Sequence, residues 1–318
     1  MSDRIRLPSA GAQRGIALVL VLWLTALLTV IAGSFAYAMR NEAQAARNTV
    51  SQAQARALAD GAVARTVFEL MRPRTLPGVW SADGMLHVWD DNGSHVAASA
   101  VDESGKIDLN AATDPLLKGL LQTAGQLDAD TAARFVDVIG DWKDPDDLRR
   151  PNGAEAADYQ AAGLKYKPAN AAFETVAELQ RILGMTPALY ARLAGSLTVH
   201  SGAPAIGAQF ASRTVLMALP GATDAIVDTY LAERAAALAA RLPLPVLPLA
   251  GAGVPVNVWR VRAEVTAPDG VVFVRESVVR PNPDQRRPVT VLEWQEGERT
   301  QVAAADAASA TDPAAAAK

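Results

Sequence analysis

Residues 16–39 read IALVLVLWLTALLTVIAGSFAYAM, twenty-four consecutive residues without a charge. A helix that crosses a bilayer needs about 20 such residues. A core helix rarely lacks a polar face over so many turns. The stretch therefore predicts a transmembrane helix over 16–39. Arg4, Arg6 and Arg14 precede it against Asp3 alone. That basic excess predicts a cytoplasmic N-terminus and puts the bulk of the chain across the membrane. A cleaved secretory signal fits less well, because its apolar region runs to about 15 residues and ends in a small-residue cleavage site. Here the run is longer and flows into more helical sequence, 40–71, with no Pro and one Gly, Gly61. In that second half Val50, Leu58, Val63, Val67 and Leu70 are spaced mostly by three, four or their sums, which predicts one stripe facing a partner. Arg72-Pro73 ends the helix, since the residue before a proline is pushed out of the helical region. One long helix over 16–72, half in lipid and half in water, is the economical reading.

The 318 residues suggest about two domains. With 30 Lys+Arg against 34 Asp+Glu the formal net charge is −4, which lacks the basic excess of a nucleic-acid binder. The absence of Cys removes disulfide frameworks, thiolate metal sites and Cys nucleophiles together. Three histidines, His87, His95 and His200, lie far apart in sequence and leave little for zinc chemistry or a His-based triad. There is no HExxH and no GxSxG, and Ser104-Gly105-Lys106 lacks the upstream Gly of a phosphate loop. No enzymatic activity is expected.

Beyond the long helix, 85–90 and 94–101 flank Asp91-Asn92-Gly93, a strong hairpin signal. Glu103-Ser104-Gly105-Lys106 then leads to Ile107-Asp108-Leu109-Asn110, read as the start of a small antiparallel meander. Helices are predicted over 115–123, 130–142, 173–183 and 187–196, the second capped by Asp128 or Asp130 and the third stopped by Gly184. A further helical stretch over 214–241 is broken near Leu219-Pro220-Gly221. After a Pro- and Gly-rich linker, Trp259, Val261, Ala263 and Val265 alternate with Arg260, Arg262, Glu264 and Thr266, the pattern of a half-buried strand. Pro268-Asp269-Gly270 turns it into a returning strand over 271–279, and 288–294 is a third candidate. The fold class is α+β, a small antiparallel sheet interrupted by an inserted all-α domain. The expected parts are a leader over 1–15, the helix over 16–72, a sheet domain over 73–110 and 206–297, helices over 111–200, and a tail over 298–318. That tail has no large apolar residue after Val302 and is expected to be disordered.

Arg14-Gly15-Ile16, with a short basic leader before it and an apolar helix after it, resembles a type IV prepilin processing site. The resemblance implies that a prepilin peptidase cuts between Gly15 and Ile16 and that Ile16 becomes N-methylated. Pilin-like proteins usually carry Glu at the fifth mature position, where Leu20 stands here. A carboxylate in lipid is costly unless paired. In pilus-like fibres it pairs with the N-terminal amine of the neighbour on the tip side, so a subunit without such a neighbour can dispense with it. Loss of that Glu is a feature of the K-type minor pseudopilins of type II secretion, which also carry a large helical insert. Lys106-Ile107-Asp108-Leu109-Asn110 resembles their motif at the start of the insert, and Asp141-Trp142-Lys143-Asp144-Pro145-Asp146 with Asn152-Gly153-Ala154-Glu155 resembles their acidic loop. Glu178-Leu179 and Gly184-Met185-Thr186 fit the helix pair that follows. The family's next strand is sought at 208–212.

The resemblance implies a non-enzymatic subunit at the pseudopilus tip that primes assembly for export across the outer membrane. It implies I- and J-type minor pseudopilins, prepilin peptidase and the inner-membrane assembly platform as partners. The place is the bacterial inner membrane, single-pass, with a periplasmic bulk. A minor pilin of a type IV pilus or DNA-uptake system is the alternative, sharing leader and anchor.

Asp141, Asp144, Asp146 and Asp147 crowd into seven residues, with Glu155 and Asp158 after them. Such density reads either as a solvated loop or as a calcium site, and the spacing is not that of an EF-hand. The family resemblance implies structural calcium, with Asp141, Asp144, Asp146 and Glu155 as ligands. A weak likeness of 178–184 to a DNA-binding hairpin is set against fifteen acids and ten bases over 101–200, so a packing hairpin is expected there and no nucleic acid.

Overall fold

The computed structural model describes residues 14–73, 75–240, 242–284 and 286–298, with backbone alone for 14–16. The expected tail therefore lies, apart from Glu298, outside the described residues.

Helix α1, Arg14–Met71, runs unbroken for 58 residues, about 87 Å at 1.5 Å per residue. Residues 17–50 are exposed throughout. From Ser51 onward one face is buried, by Ala55, Ala59, Ala62, Val63, Thr66, Val67 and Leu70. The expected stripe is thus corrected at its start. Val50 is exposed and Leu58 only half-buried, while alanines do the seam's work. Small side chains there bring the helix backbone close to the sheet, which large ones would hold off.

Strands β1, His87–Asp91, and β2, Ser94–Asp102, form the expected hairpin. Asn92 and Gly93 sit at φ 48° and 80°, as a two-residue primed turn requires. The chain then leaves the sheet. Strand β3, Ile107–Asp108, pairs in parallel with β4, Leu197–Thr198, instead of continuing an antiparallel meander. The reason lies in its side chains: Ile107 and Leu109 are fully buried in the helical core. The Asp108 carboxylate accepts from the Asn110 and Ala111 amides, the Ser201 hydroxyl and the Gly202 amide. One buried carboxylate so ties the two ends of the β3–β4 segment together.

Between these strands lie α2, Asp114–Thr123, α3, Ala129–Lys143, α4, Ala156–Ala161, a 3₁₀ turn at Val176–Arg181, and α5, Pro187–Leu193. Asp128 caps α3 by accepting from the Asp130 and Thr131 amides. The helix expected over 173–183 shrinks to the 3₁₀ turn. Its first residues are held otherwise, because the Phe173 backbone exchanges two hydrogen bonds, 2.8 and 3.0 Å, with the Asn110 side-chain amide.

Strand β5, Ile206–Gly207, α6, Arg213–Leu216, α7, Asp224–Ala240, and β6, Ala252–Gly253, complete the insert, β5 and β6 pairing in parallel. This corrects the expectation that the sheet domain resumes at 206 and that 208–212 is a strand. Ile206, Ala211, Leu216, Val227, Tyr230 and Leu247 belong to the same buried cluster as α2 and α3. At Gly119 of α2 a Cβ would collide with the Ala218 carbonyl, so only glycine admits that approach. The sheet resumes with β7, Trp259–Thr266, β8, Val272–Pro281, and β9, Val289–Glu296. Its order is β1-β2-β7-β8-β9, antiparallel throughout. In β7 the expected alternation holds, with Trp259, Val261, Ala263 and Val265 buried against α1.

Insert and sheet meet at Glu103, which is fully buried directly after β2. Its carboxylate accepts from Arg260 Nε at 2.8 Å, from Lys106 Nζ at 3.1 Å and from the Thr198 hydroxyl. Arg260 continues to Glu293 at 3.0 Å, and His200 Nε2 lies 3.2 Å from the same Glu293 oxygen. Burial alone would raise the Glu103 pKa, but the charges of Lys106 and Arg260 and the Arg260 and Thr198 hydrogen bonds outweigh it and hold it low. The His200 hydrogen bond, with those of Arg260 and its charge, holds Glu293 at about 2 despite partial burial. Both carboxylates sit below the ordinary value of 4.5, so their stabilisation is present above that pH and is lost as pH falls through their lowered values, for Glu293 at about 2. Glu293→Gln is expected to flatten the acid limb of a pH-dependent unfolding curve by about 2 kcal/mol between pH 4.5 and 2. Urea titration at a series of pH values measures it.

Candidate functional site

The acidic loop is built on the last turn of α3. Asp141 points inward and is fully buried, its two oxygens 3.1 and 3.3 Å from the Arg150 amide. One turn earlier, Asp137 accepts from both the Asn152 amide and its side-chain nitrogen, each at 3.0 Å. Two aspartates on one helix thus hold the loop over 144–155. Gly153 lies so close to Asp141 that a Cβ there would strike the carboxylate. Behind the loop, Trp142 stacks with Phe173 and tilts against Tyr159, centroids 6.2 and 6.1 Å away. Lys143 leaves on another side to reach the Leu109 and Asn110 carbonyls at 2.9 and 3.1 Å.

Several buried oxygens in this loop have no hydrogen-bond partner. They are Asp144 Oδ1, both carboxylate oxygens of Glu155, and Asn170 Oδ1. Glu155 is 8% exposed, and although its amide donates to Asp158 Oδ2 at 2.9 Å, its own carboxylate makes no cap bond. Burial, reinforced by the other carboxylates, raises the pKa values of Asp144 and Glu155. Burial raises Asp141 as well, against the amides of Arg150 and Ala154. An unsatisfied buried polar group costs about 1–3 kcal/mol. Carboxylate and amide oxygens on a loop are what a hard cation such as calcium takes.

The structure therefore brings Asp141, Asp144 and Glu155 into one electrostatic neighbourhood. Asp146 stands at the exposed rim, where Oδ1 accepts from the Leu148 amide at 2.8 Å. Among the described residues no three His, Asp or Glu side chains are already gathered as a finished cage. Sequence reasoning missed Asn170, whose side-chain nitrogen bridges the Asp146 carbonyl and Asp147 Oδ1 at 3.2 and 2.9 Å. It sits at φ 48°, and an Asn followed by apolar sequence carries no pattern that would have linked it to a loop more than twenty residues away.

At the other end of the molecule, Gly15 and Ile16 fall in the first turn of α1, and residues 1–13 of the leader expected over 1–15 lie outside the described residues. Leu20 is exposed on an apolar helical face with Trp23, Leu24 and Leu27. Among the described residues α1 is the one helix long and apolar enough to cross a membrane.

A half-apolar helix laid on an antiparallel sheet, with a helical unit let in between β2 and β7, is a pilin-like architecture whose N-terminal helix is long and apolar enough to cross a membrane. A family model described as type II secretion system protein K matches residues 97–202. Type II secretion system protein K of Pectobacterium carotovorum is 27% identical over 203 residues, and that of Klebsiella pneumoniae 27% over 201. A chain of Escherichia coli (strain K12) that carries the same designation provisionally is 30% identical over 201 residues. Each alignment covers 57% of this chain and 61% of the relative's length. The crystal structure of the GspK-GspI-GspJ complex of enterotoxigenic Escherichia coli matches with a TM-score of 0.54 at 18% identity, over 82% of this chain and 99% of the matched one. These matches bear out the resemblance: over residues 97–202, and over 57% of its length in the pairwise alignments, the chain is similar to type II secretion system K proteins.

Because Gly153 is wedged against Asp141, Gly153→Ala is expected to destabilise the chain by about 2–3 kcal/mol. Limited proteolysis should then cut within 144–155 well before the wild type is cut there.

Proposed function

We propose that the chain is a non-enzymatic minor pseudopilin at the tip of a type II secretion pseudopilus. In this reading prepilin peptidase cuts after Gly15, Ile16 becomes the methylated N-terminus, and α1 waits in the inner membrane with the folded bulk in the periplasm. It then joins I- and J-type minor pseudopilins on the assembly platform and primes the fibre for export across the outer membrane. The observation that carries the tip position is where the insert is attached. The turns Asn92-Gly93 and Pro268-Asp269-Gly270 lie near residues 46–58 of α1, on the side of the membrane span. Asp102 and Trp259, where the chain leaves and rejoins the sheet, are at the opposite strand ends. The helical unit thus stands at the sheet end remote from the span, where it would block a further subunit from stacking. Leu20 in place of the pilin Glu supports the same position.

Mass spectrometry of the mature N-terminus, from cells with and without prepilin peptidase, tests the reading. N-methylated Ile16 that depends on the peptidase is expected. An intact Met1, or a cut near Ala36, would exclude it.

Calcium belongs to the same proposal as a structural ion. Asp141, Asp144 and Glu155 would hold it, with Asp146 from the rim and Asn170 Oδ1 as an amide oxygen. Its positive charge would offset the carboxylate repulsion and satisfy the stranded oxygens. At a free concentration a hundredfold above Kd, calcium is expected to add about 2.7 kcal/mol of stability. Glu155→Gln separates the ion from mere crowding of charge. It should abolish the calcium-dependent gain while leaving the calcium-free protein as stable or more so, because it removes one repelling charge. Thermal unfolding with calcium and with chelator reads both; an undiminished calcium gain in the variant would remove Glu155 from the site.

A further inference from the structure

Strand β1 is an edge of the sheet, with β2 on one side and, among the described residues, no strand on the other. Asp91 and Ser94 close the two-residue turn, so in the alternation of an antiparallel ladder their backbone groups face each other. Those of the next pairs outward on β1, at Asp90 and Val88, then face away from β2. The edge has no Pro, no Lys and no bulge in its five residues, and the charges it presents are the carboxylates of Asp90 and Asp91. On the face away from α1, Val88 is 57% exposed beside the exposed Asp90, and Leu86, just before the strand, is 61% exposed. In line with the strand, past Met85, lies a cleft of about 970 Å³ walled by Leu76, Val79, Trp80, Leu238, Leu242 and Leu244. Trp80 is fixed there by stacking on His87, centroids 3.6 Å apart. His87 and Trp89 share the face of β1 toward α1, where Arg65 lies 4.3 Å over the Trp89 ring, and the Trp80–His87 wall of the cleft continues that face past the end of the strand.

Charge selects the occupant. Asp83, Asp90 and Asp91 run along this edge; Asp90 Oδ1 lies 3.0 Å from His95 Nδ1, and among the described residues no Lys or Arg forms an ion pair with any of the three. We propose that the β1 edge and its cleft bind an extended apolar segment of a partner protein, flanked by lysine or arginine, by strand addition. Backbone groups of Val88 and Asp90 supply the ladder, the cleft takes the apolar side chains, and the three aspartates meet the flanking cations. This surface is independent of the acidic loop and of N-terminal processing.

The test uses the full chain in detergent micelles and a synthetic peptide, Lys-Lys-Val-Leu-Val-Thr-Val-Lys, with its all-D mirror image. Hydrogen exchange at the Val88 and Asp90 amides should slow about tenfold with the L-peptide and not with the mirror image. Val88→Pro removes one outward N–H without breaking the β1–β2 ladder and should abolish the protection. Asp90→Lys combined with Asp91→Lys should weaken binding about tenfold while exchange in β7 and β8 stays unchanged. Unaltered Val88 and Asp90 amides, or equal protection by the mirror-image peptide, would overturn the proposal. So would protection that grows with protein concentration in the absence of peptide, because the edge would then belong to a second copy of this chain.

Discussion

Glu103 sits with no exposure at the point where the chain passes from a sheet into a helical unit of some 150 residues. A charge there is tolerable only if fully paired, and Arg260, Lys106 and Thr198 provide that pairing from three separate segments. Arg260 belongs to the strand on which the chain returns, and Thr198 to the end of the first half of the insert. The carboxylate therefore fixes three crossings of one junction at once. Flanking backbone bonds follow suit: the Glu103 amide donates to the Val258 carbonyl at 2.7 Å, and the Asn257 amide to Asp102 Oδ2 at 3.0 Å. Removing one partner of such a cluster leaves an uncompensated buried charge, which is why the arrangement behaves as a unit.

On either side of that junction the two cores use different means. The sheet is closed on one face by α1, whose alanines let backbone meet strand closely. The insert has short helices and two-residue strands, and it gains its order from long side chains and carboxylates that reach across loops. Asp108, Asn110, Asp137 and Asp141 each satisfy backbone groups that no regular element would satisfy. Those ties run out at Asp144, Glu155 and Asn170, where buried side-chain oxygens are left without a hydrogen-bond partner. The two ends of the molecule divide the labour. The apolar half of α1 supplies the anchor, and the insert supplies bulk at the far end of the sheet.

The sequence by itself determined the features that depend on local periodicity. The charge-free run, the continuation of the helix to Met71, the Asn92-Gly93 turn and the alternation of β7 each follow from neighbours a few residues apart, where chain geometry leaves few alternatives. The crowding of Asp141, Asp144 and Glu155 was legible too, as a motif carried by family resemblance. Tertiary structure decided what depended on distant partners. Residues 206–253 joined the helical core because their apolar side chains found their complement on α2 and α3. The segment over 173–183 lost most of its helix to the side chain of Asn110, some sixty residues earlier. Asn170 reached the acidic loop, and Glu103 found Arg260, across separations that no local pattern encodes. Such pairings are selected only when the whole chain is compact, because the free energy of burying a polar group depends on which partner arrives.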